Sequence, residues 1–226
     1  MSTRKFLTRH EILAMLKAVA DAPNPERNLC FIMMAFIHGF RASEILTLQL
    51  ADLDLRGRVI QVTRMKNGFS TIHPLSVREV KALKKWLRIR AQIILHGHHE
   101  DRGQLFISLK GKSLSRQQFY NIIRQAGRRA GLSVNAHPHM LRHACGYALA
   151  DNGVDTRLIQ DYLGHRNIRH TVRYTASSAA RFEGIWQPII RQRKQHSDPK
   201  CKPLLQVKNI HVYEHKITIF KSNYLI

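Results

Sequence analysis

The sequence predicts a mainly α fold with a small antiparallel β-hairpin at its edge, an α+β class. Two observations carry this. Most of the first 186 residues fall into capped segments with apolar residues three and four apart, the spacing of a helix face. One segment instead, residues 57–75, sets Val59, Ile60 and Val62, then Phe69 and Ile72, about an Asn67-Gly68 pair, a short-range hairpin signal.

In order, Thr8 and Glu11 form a capping-box pattern ahead of Ile12, Leu13, Leu16 and Val19. Pro23 and Pro25 break that helix, and Pro25 suits the first position of the next. The next helix, Glu26 to His38, is apolar almost all round and belongs in the core. Gly39 ends it, and a short helix follows from about Ser43 to Leu48. After the hairpin, Ser76 with Glu79 opens a long helix reaching about Leu95, and His96 to Gly103 reads as a polar loop. Ser115 with Gln118 opens a helix closed near Gly131, and Pro138 and Gly153 bracket another. Asp155 to Leu163 form a short helix stopped by Gly164, and residues 168–186 read as helical again. After about Gln187 the composition changes to a basic tail whose run IHVYEHKITIF alternates like a strand.

Among the 226 residues, lysine and arginine outnumber the acids 37 to 15, a formal charge of +22. Such an excess points to a polyanionic partner, because phosphates are attracted and their counterions released on binding. Apolar residues make up 44%, which excludes a disordered tail. Cys30, Cys145 and Cys201 show neither metal-ligand spacing nor a disulfide framework. No signal-like run opens the chain and no stretch approaches a membrane span, so a cytoplasmic protein is expected.

Four segments hold the residues with chemistry. They are Gly39 to Glu44 with Arg41, Lys66 at the hairpin tip, His137 to His143, and Leu163-Gly164-His165 followed nine residues later by Tyr174. On a helix His139, Arg142 and His143 share one face. The set suits phosphoryl transfer without metal, cofactor or ATP. Two guanidinium groups neutralise the non-bridging oxygens of a phosphodiester. A tyrosine hydroxyl is a poor nucleophile near neutral pH until cations lower its pKa and a neighbouring histidine helps remove the proton. A lysine on a mobile tip can protonate the leaving oxygen. Each residue also has a plainer reading: Arg41 and Glu44 as a helix-end ion pair, Lys66 as a solvated turn residue, Tyr174 as packing. His139 and His143 are spaced for a metal but lack the partners of a zinc site, and His96, His98 and His99 read as a solvated loop.

The order of these segments resembles the tyrosine recombinase (phage integrase) superfamily over roughly residues 5–186. The run from His137 to Trp186 is similar to the fimbrial phase-variation invertases of enteric bacteria. This resemblance implies the tyrosine recombinase catalytic-domain fold over residues 1–186, without a separate N-terminal core-binding domain, followed by a tail at 187–226 with no assigned role. It implies cutting and rejoining of DNA through a 3′-phosphotyrosine, inverting a promoter-bearing segment that controls fimbriae. Tyr174 is then the nucleophile, Arg41 and Arg142 clamp the scissile phosphate, and Lys66 is the general acid. His139 and His165 position or exchange protons around the phosphate, Glu44 supports Arg41, and His143 is a structural neighbour. The implied partners are double-stranded DNA bearing inverted repeats, other copies of the chain in a tetramer on paired sites, and DNA-bending helper proteins, all in the bacterial nucleoid. A DNA-binding regulator on the same fold and a type IB topoisomerase are the rival readings, and a metal-dependent nuclease is a third.

Overall fold

The computed structural model describes residues 4–64, 69–176 and 178. Eight helices and a three-stranded sheet appear among them. In chain order these are α1 (Arg9–Ala18), α2 (Pro25–Ile37), α3 (Ala42–Thr47), β1 (Leu53–Asp54), β2 (Val59–Val62), β3 (Thr71–Pro74), α4 (Val77–His96), α5 (Arg116–Arg129), α6 (Pro138–Asp151), α7 (Thr156–Leu163) and α8 (Arg169–Thr175). The mainly helical class with one small antiparallel sheet is therefore observed. No helix of the described residues is long and apolar enough to cross a membrane.

The helix starts follow local chemistry. Thr8, Ser76 and Ser115 each accept a hydrogen bond from the backbone N–H three residues on, and Glu11, Glu79 and Gln118 reach back to the capping residue's own N–H. Asp155 caps α7 by accepting from the N–H groups of Arg157 and Leu158. Helix α2 is the central element, with Cys30, Phe31, Ile32 and Met34 fully buried. It packs against α1, α4 and α6, and Phe31 stacks on Phe106 at 4.0 Å.

The expected hairpin is observed as β2 and β3, with additions that the sequence reading did not include. A short strand, β1, precedes the hairpin and pairs with β2, so the sheet has three strands in the order β1-β2-β3. The ladder between β2 and β3 sets Val62 opposite Thr71 and Ile60 opposite His73. Beyond it Arg64 turns inward to bonds described below. Residues 65–68, with Lys66 and the expected turn, lie outside the described residues. Finally, Phe69 and Ile72 are exposed, and the inward face carries Ile60, Val62 and His73.

His73 joins a buried polar chain. His38 Nε2 lies 2.8 Å from Glu79, His38 Nδ1 lies 3.2 Å from His73 Nδ1, and His73 Nε2 lies 2.8 Å from the Thr71 hydroxyl. Every link is satisfied if His38 donates to Glu79, His73 donates to His38, and Thr71 donates to His73. This ties the sheet to the N-terminus of α4 and the C-terminus of α2.

Helix α8 spans Arg169–Thr175, inside the segment expected to be helical, and residues 177 and 179–186 of that segment lie outside the described residues. Residues 179–226, including the strand-like alternation in the tail, lie outside the described residues.

Candidate active site

The site begins with a buried carboxylate. Arg41 precedes α3 in extended conformation, so Glu44, three residues later, reaches back to its N–H at 2.9 Å and pairs with its guanidinium. The same carboxylate lies 2.9 Å from Arg64 and 3.7 Å from Arg142. Burial pushes the Glu44 carboxyl upward, but Arg64, the Arg41 N–H and Arg142 outweigh it and hold it below the usual carboxylate range.

Backbone carbonyls fix the arginines. Arg142, on α6, donates to the carbonyl of Gly39 and, at 2.6 Å, to that of Leu163. Arg64 donates to the carbonyls of His38 at 2.9 Å and Tyr162 at 2.6 Å. Gly39 makes this possible. Its φ is +58°, and a Cβ there would stand 2.4 Å from Leu163 Cδ2. The chain turning out of α2 thus lies directly on the end of α7, and one guanidinium joins α2, α6 and α7.

Arg41, His139, Arg142, His143, His165 and Tyr174 line one cleft of about 390 Å³. Of the sequence-predicted residues, Glu44 sits beneath these, and Lys66 lies outside the described residues. Arg166, His170 and Arg173 also line the cleft. Their spacing, four and then three residues apart, was the available signal, a basic stripe in the run from His165 to Tyr174. Arg64 was missed too. Ile60, Val62 and Arg64 are all buried, so the period-2 alternation of β2 carries on to Arg64 and puts an arginine inside, where a carboxylate must meet it.

Tyr174 is only 1% exposed. Its ring lies on the backbone of α6, where a Cβ on Gly146 would come within 2.6 Å of it. Tyr147 meets the ring edge-on at 5.1 Å. The hydroxyl is 2.9 Å from His143 Nδ1. His165 stacks at 6.2 Å from the phenol ring, and its own Nδ1 is 2.9 Å from the Thr171 hydroxyl.

Burial first, and the surrounding cations second, shift the titratable groups here. Burial, then Arg41 and Arg64, bring Arg142 down to about 9, so it stays charged near neutrality. His165 is brought to about 3 by burial, Arg142 and Arg41. His143 is brought to about 4 by burial, Arg173, His139 and Arg142. Burial raises Tyr174 even though Arg142 and Arg173 pull it down. Burial, His38 and Arg64 likewise bring His73 to about 3.

These histidines give a pH prediction. Their folded pKa values lie below the unfolded value of about 6.5, so the unfolded chain takes up protons first as pH falls. The stability they confer is complete above that pH and is lost progressively as pH drops toward 4 and 3. The thermal unfolding midpoint should therefore fall steadily from about pH 7 to about pH 4.5. A flat midpoint over that range would contradict neutral, buried rings.

A model of the phage integrase family matches residues 5–181. The type 1 fimbriae regulatory protein FimB of Escherichia coli is 56% identical over 194 residues, covering 86% of this chain and 94% of that protein. The type 1 fimbriae regulatory protein FimE of Shigella flexneri is 55% identical over 188 residues, covering 83% and 93%. Among solved structures, the XerA recombinase superposes with a TM-score of 0.68 at 26% identity, over 80% of this chain and 63% of that one. A lambda integrase dimer bound to a core site shares the fold, with a TM-score of 0.60 at 18% identity over 77% of this chain and 49% of that one. The chain belongs to the phage integrase family, the tyrosine recombinases.

Proposed function

We propose that the protein is a site-specific DNA recombinase that inverts a promoter-bearing segment between inverted repeats and so switches fimbrial expression, acting in the bacterial cytoplasm. One observation carries the chemistry: a phenol lies in a cleft where Arg41 and Arg142 share a single buried carboxylate. A phosphodiester supplies the negative charge that this cluster lacks. Arg41 and Arg142 grip the two non-bridging oxygens, and Tyr174 attacks phosphorus to form a 3′-phosphotyrosine. Lys66 protonates the departing 5′-oxygen, and His139 and His165 hold the phosphate. Glu44 keeps Arg41 and Arg142 aimed. The ester conserves the energy of the broken bond, so rejoining needs no ATP. The 56% identity to a fimbrial regulatory protein over nearly its whole length supports inversion as the outcome. Solved neighbours bound to DNA support a DNA substrate. The proposed assembly is four copies on two paired sites, helped by DNA-bending proteins.

The test is a plasmid carrying a marked segment between candidate inverted repeats, incubated with the pure protein and read by restriction mapping. The reading predicts inversion without change of plasmid length. Relaxation of supercoils on any plasmid, with no inversion, would replace it with a topoisomerase. Specific binding without rearrangement, even with a DNA-bending protein added, would replace it with a regulator.

A further inference from the structure

We propose that His143, rather than His139 or His165, takes the proton from the Tyr174 hydroxyl as the phenol attacks phosphorus. This rests on the reading of Tyr174 as nucleophile. Among the described residues, His143 Nδ1 is the hydrogen-bond partner of that hydroxyl, at 2.9 Å. This is the reach expected of a general base. His165 is placed differently: its Nδ1 bonds Thr171, and its ring lies nearly parallel to the phenol, with 21° between the planes. His139 sits one helical turn before His143 on α6, its ring edge-on to His137.

A base must be unprotonated to accept. The charged and titratable groups around His143 are His137 and His139 toward the start of α6, Arg142 beside it and Arg173 on α8. With burial they keep His143 neutral near pH 7, its Nδ1 free to accept while Nε2 carries the hydrogen. A phosphodiester gripped by Arg41 and Arg142 adds a negative charge beside it, which raises the basicity of the imidazole when the substrate is in place. Arg142 and Arg173 face the phenolate as its charge develops.

The step balances. As the bond from Tyr174 Oη to phosphorus forms, the phenol proton moves to His143 Nδ1. The bond from phosphorus to O5′ breaks, and O5′ leaves as a hydroxyl with a proton from a separate acid, for which Lys66 is the candidate. In rejoining, the 5′-hydroxyl attacks the phosphotyrosine and returns its proton to that acid. The phenolate leaves and regains the proton held on His143.

The experiment measures single-turnover cleavage of a nicked suicide duplex by full-length wild type, His143→Asn, Lys66→Ala and Tyr174→Phe. It uses a normal phosphodiester and a 5′-bridging phosphorothiolate, whose sulfur leaves without needing a proton. His143→Asn keeps a hydrogen-bonding group near the phenol but cannot take its proton. Its cleavage at neutral pH should fall by about 10²-fold with DNA affinity unchanged, the usual share of an acid–base group. The loss should persist on the phosphorothiolate, where Lys66→Ala recovers. The variant's rate should also climb toward about tenfold per pH unit as hydroxide replaces the lost base. The proposal is overturned by cleavage within about twofold of wild type, by recovery of His143→Asn on the phosphorothiolate, or by a loss that does not change with pH. His143→Gln replaces the Asn variant if that protein fails to bind DNA. An adduct formed by Tyr174→Phe would instead sink the nucleophile reading, whatever His143 does.

Discussion

Tyr174→Phe is expected to bind inverted-repeat DNA as wild type does and to form no covalent adduct with it. The two effects separate because of where the side chain lies. Its ring is buried on the Gly146 backbone and against Tyr147, and phenylalanine keeps those contacts. What is lost is the hydroxyl and its bond to His143, a stability cost of about 1 kcal/mol, too small to unfold the domain. The check is a nicked suicide duplex run on a denaturing gel, with EDTA present throughout. Wild type should give a slow protein–DNA band and the variant none. A band of equal intensity from the variant would mean that another group attacks.

The second large effect is on stability. Glu44→Ala should lower the unfolding free energy by about 3–5 kcal/mol, the cost of breaking a buried charge pair from one side. Glu44 is 2% exposed and is the anion shared by Arg41, Arg64 and Arg142. Without it two buried guanidiniums, those of Arg64 and Arg142, confront each other with backbone carbonyls as their remaining partners. Activity should vanish as well, since the carboxylate holds Arg41 in the cleft. Urea unfolding of wild type, Glu44→Ala and Glu44→Gln measures this. The Gln variant should fall between the other two, because its carbonyl still accepts while its charge is gone. A loss below about 1 kcal/mol for the alanine variant would show that the arginines are held by their carbonyls alone.

Much of this architecture was legible because it is local. The capping boxes at Thr8, Ser76 and Ser115 need only residues three apart, and all three open helices where expected. The residues lining the cleft were legible for a different reason: their order along the chain matched a family, and the fold brings Arg41, Arg142, His165 and Tyr174 together across a hundred residues. What escaped depends on tertiary contact. Arg64 reads as a polar residue leaving a strand, and its burial is explained by Glu44, twenty residues earlier, and by the carbonyls of His38 and Tyr162. His143 reads as a neighbour of Arg142, and its contact with Tyr174 exists because Gly146 lets α8 settle onto α6. The Asn67-Gly68 signal pointed to a hairpin, and β2 and β3 do pair antiparallel on either side of it, while the turn itself lies outside the described residues.

The central claim is that Tyr174 becomes covalently joined to DNA, and mapping that bond tests it most directly. Wild-type protein is trapped on a nicked duplex, digested with protease and nuclease, and the nucleotide-bearing peptide is sequenced by mass spectrometry. The account predicts one modified peptide, carrying a 3′-linked nucleotide on Tyr174. A nucleotide on any other residue, or joined through its 5′-phosphate, would contradict it.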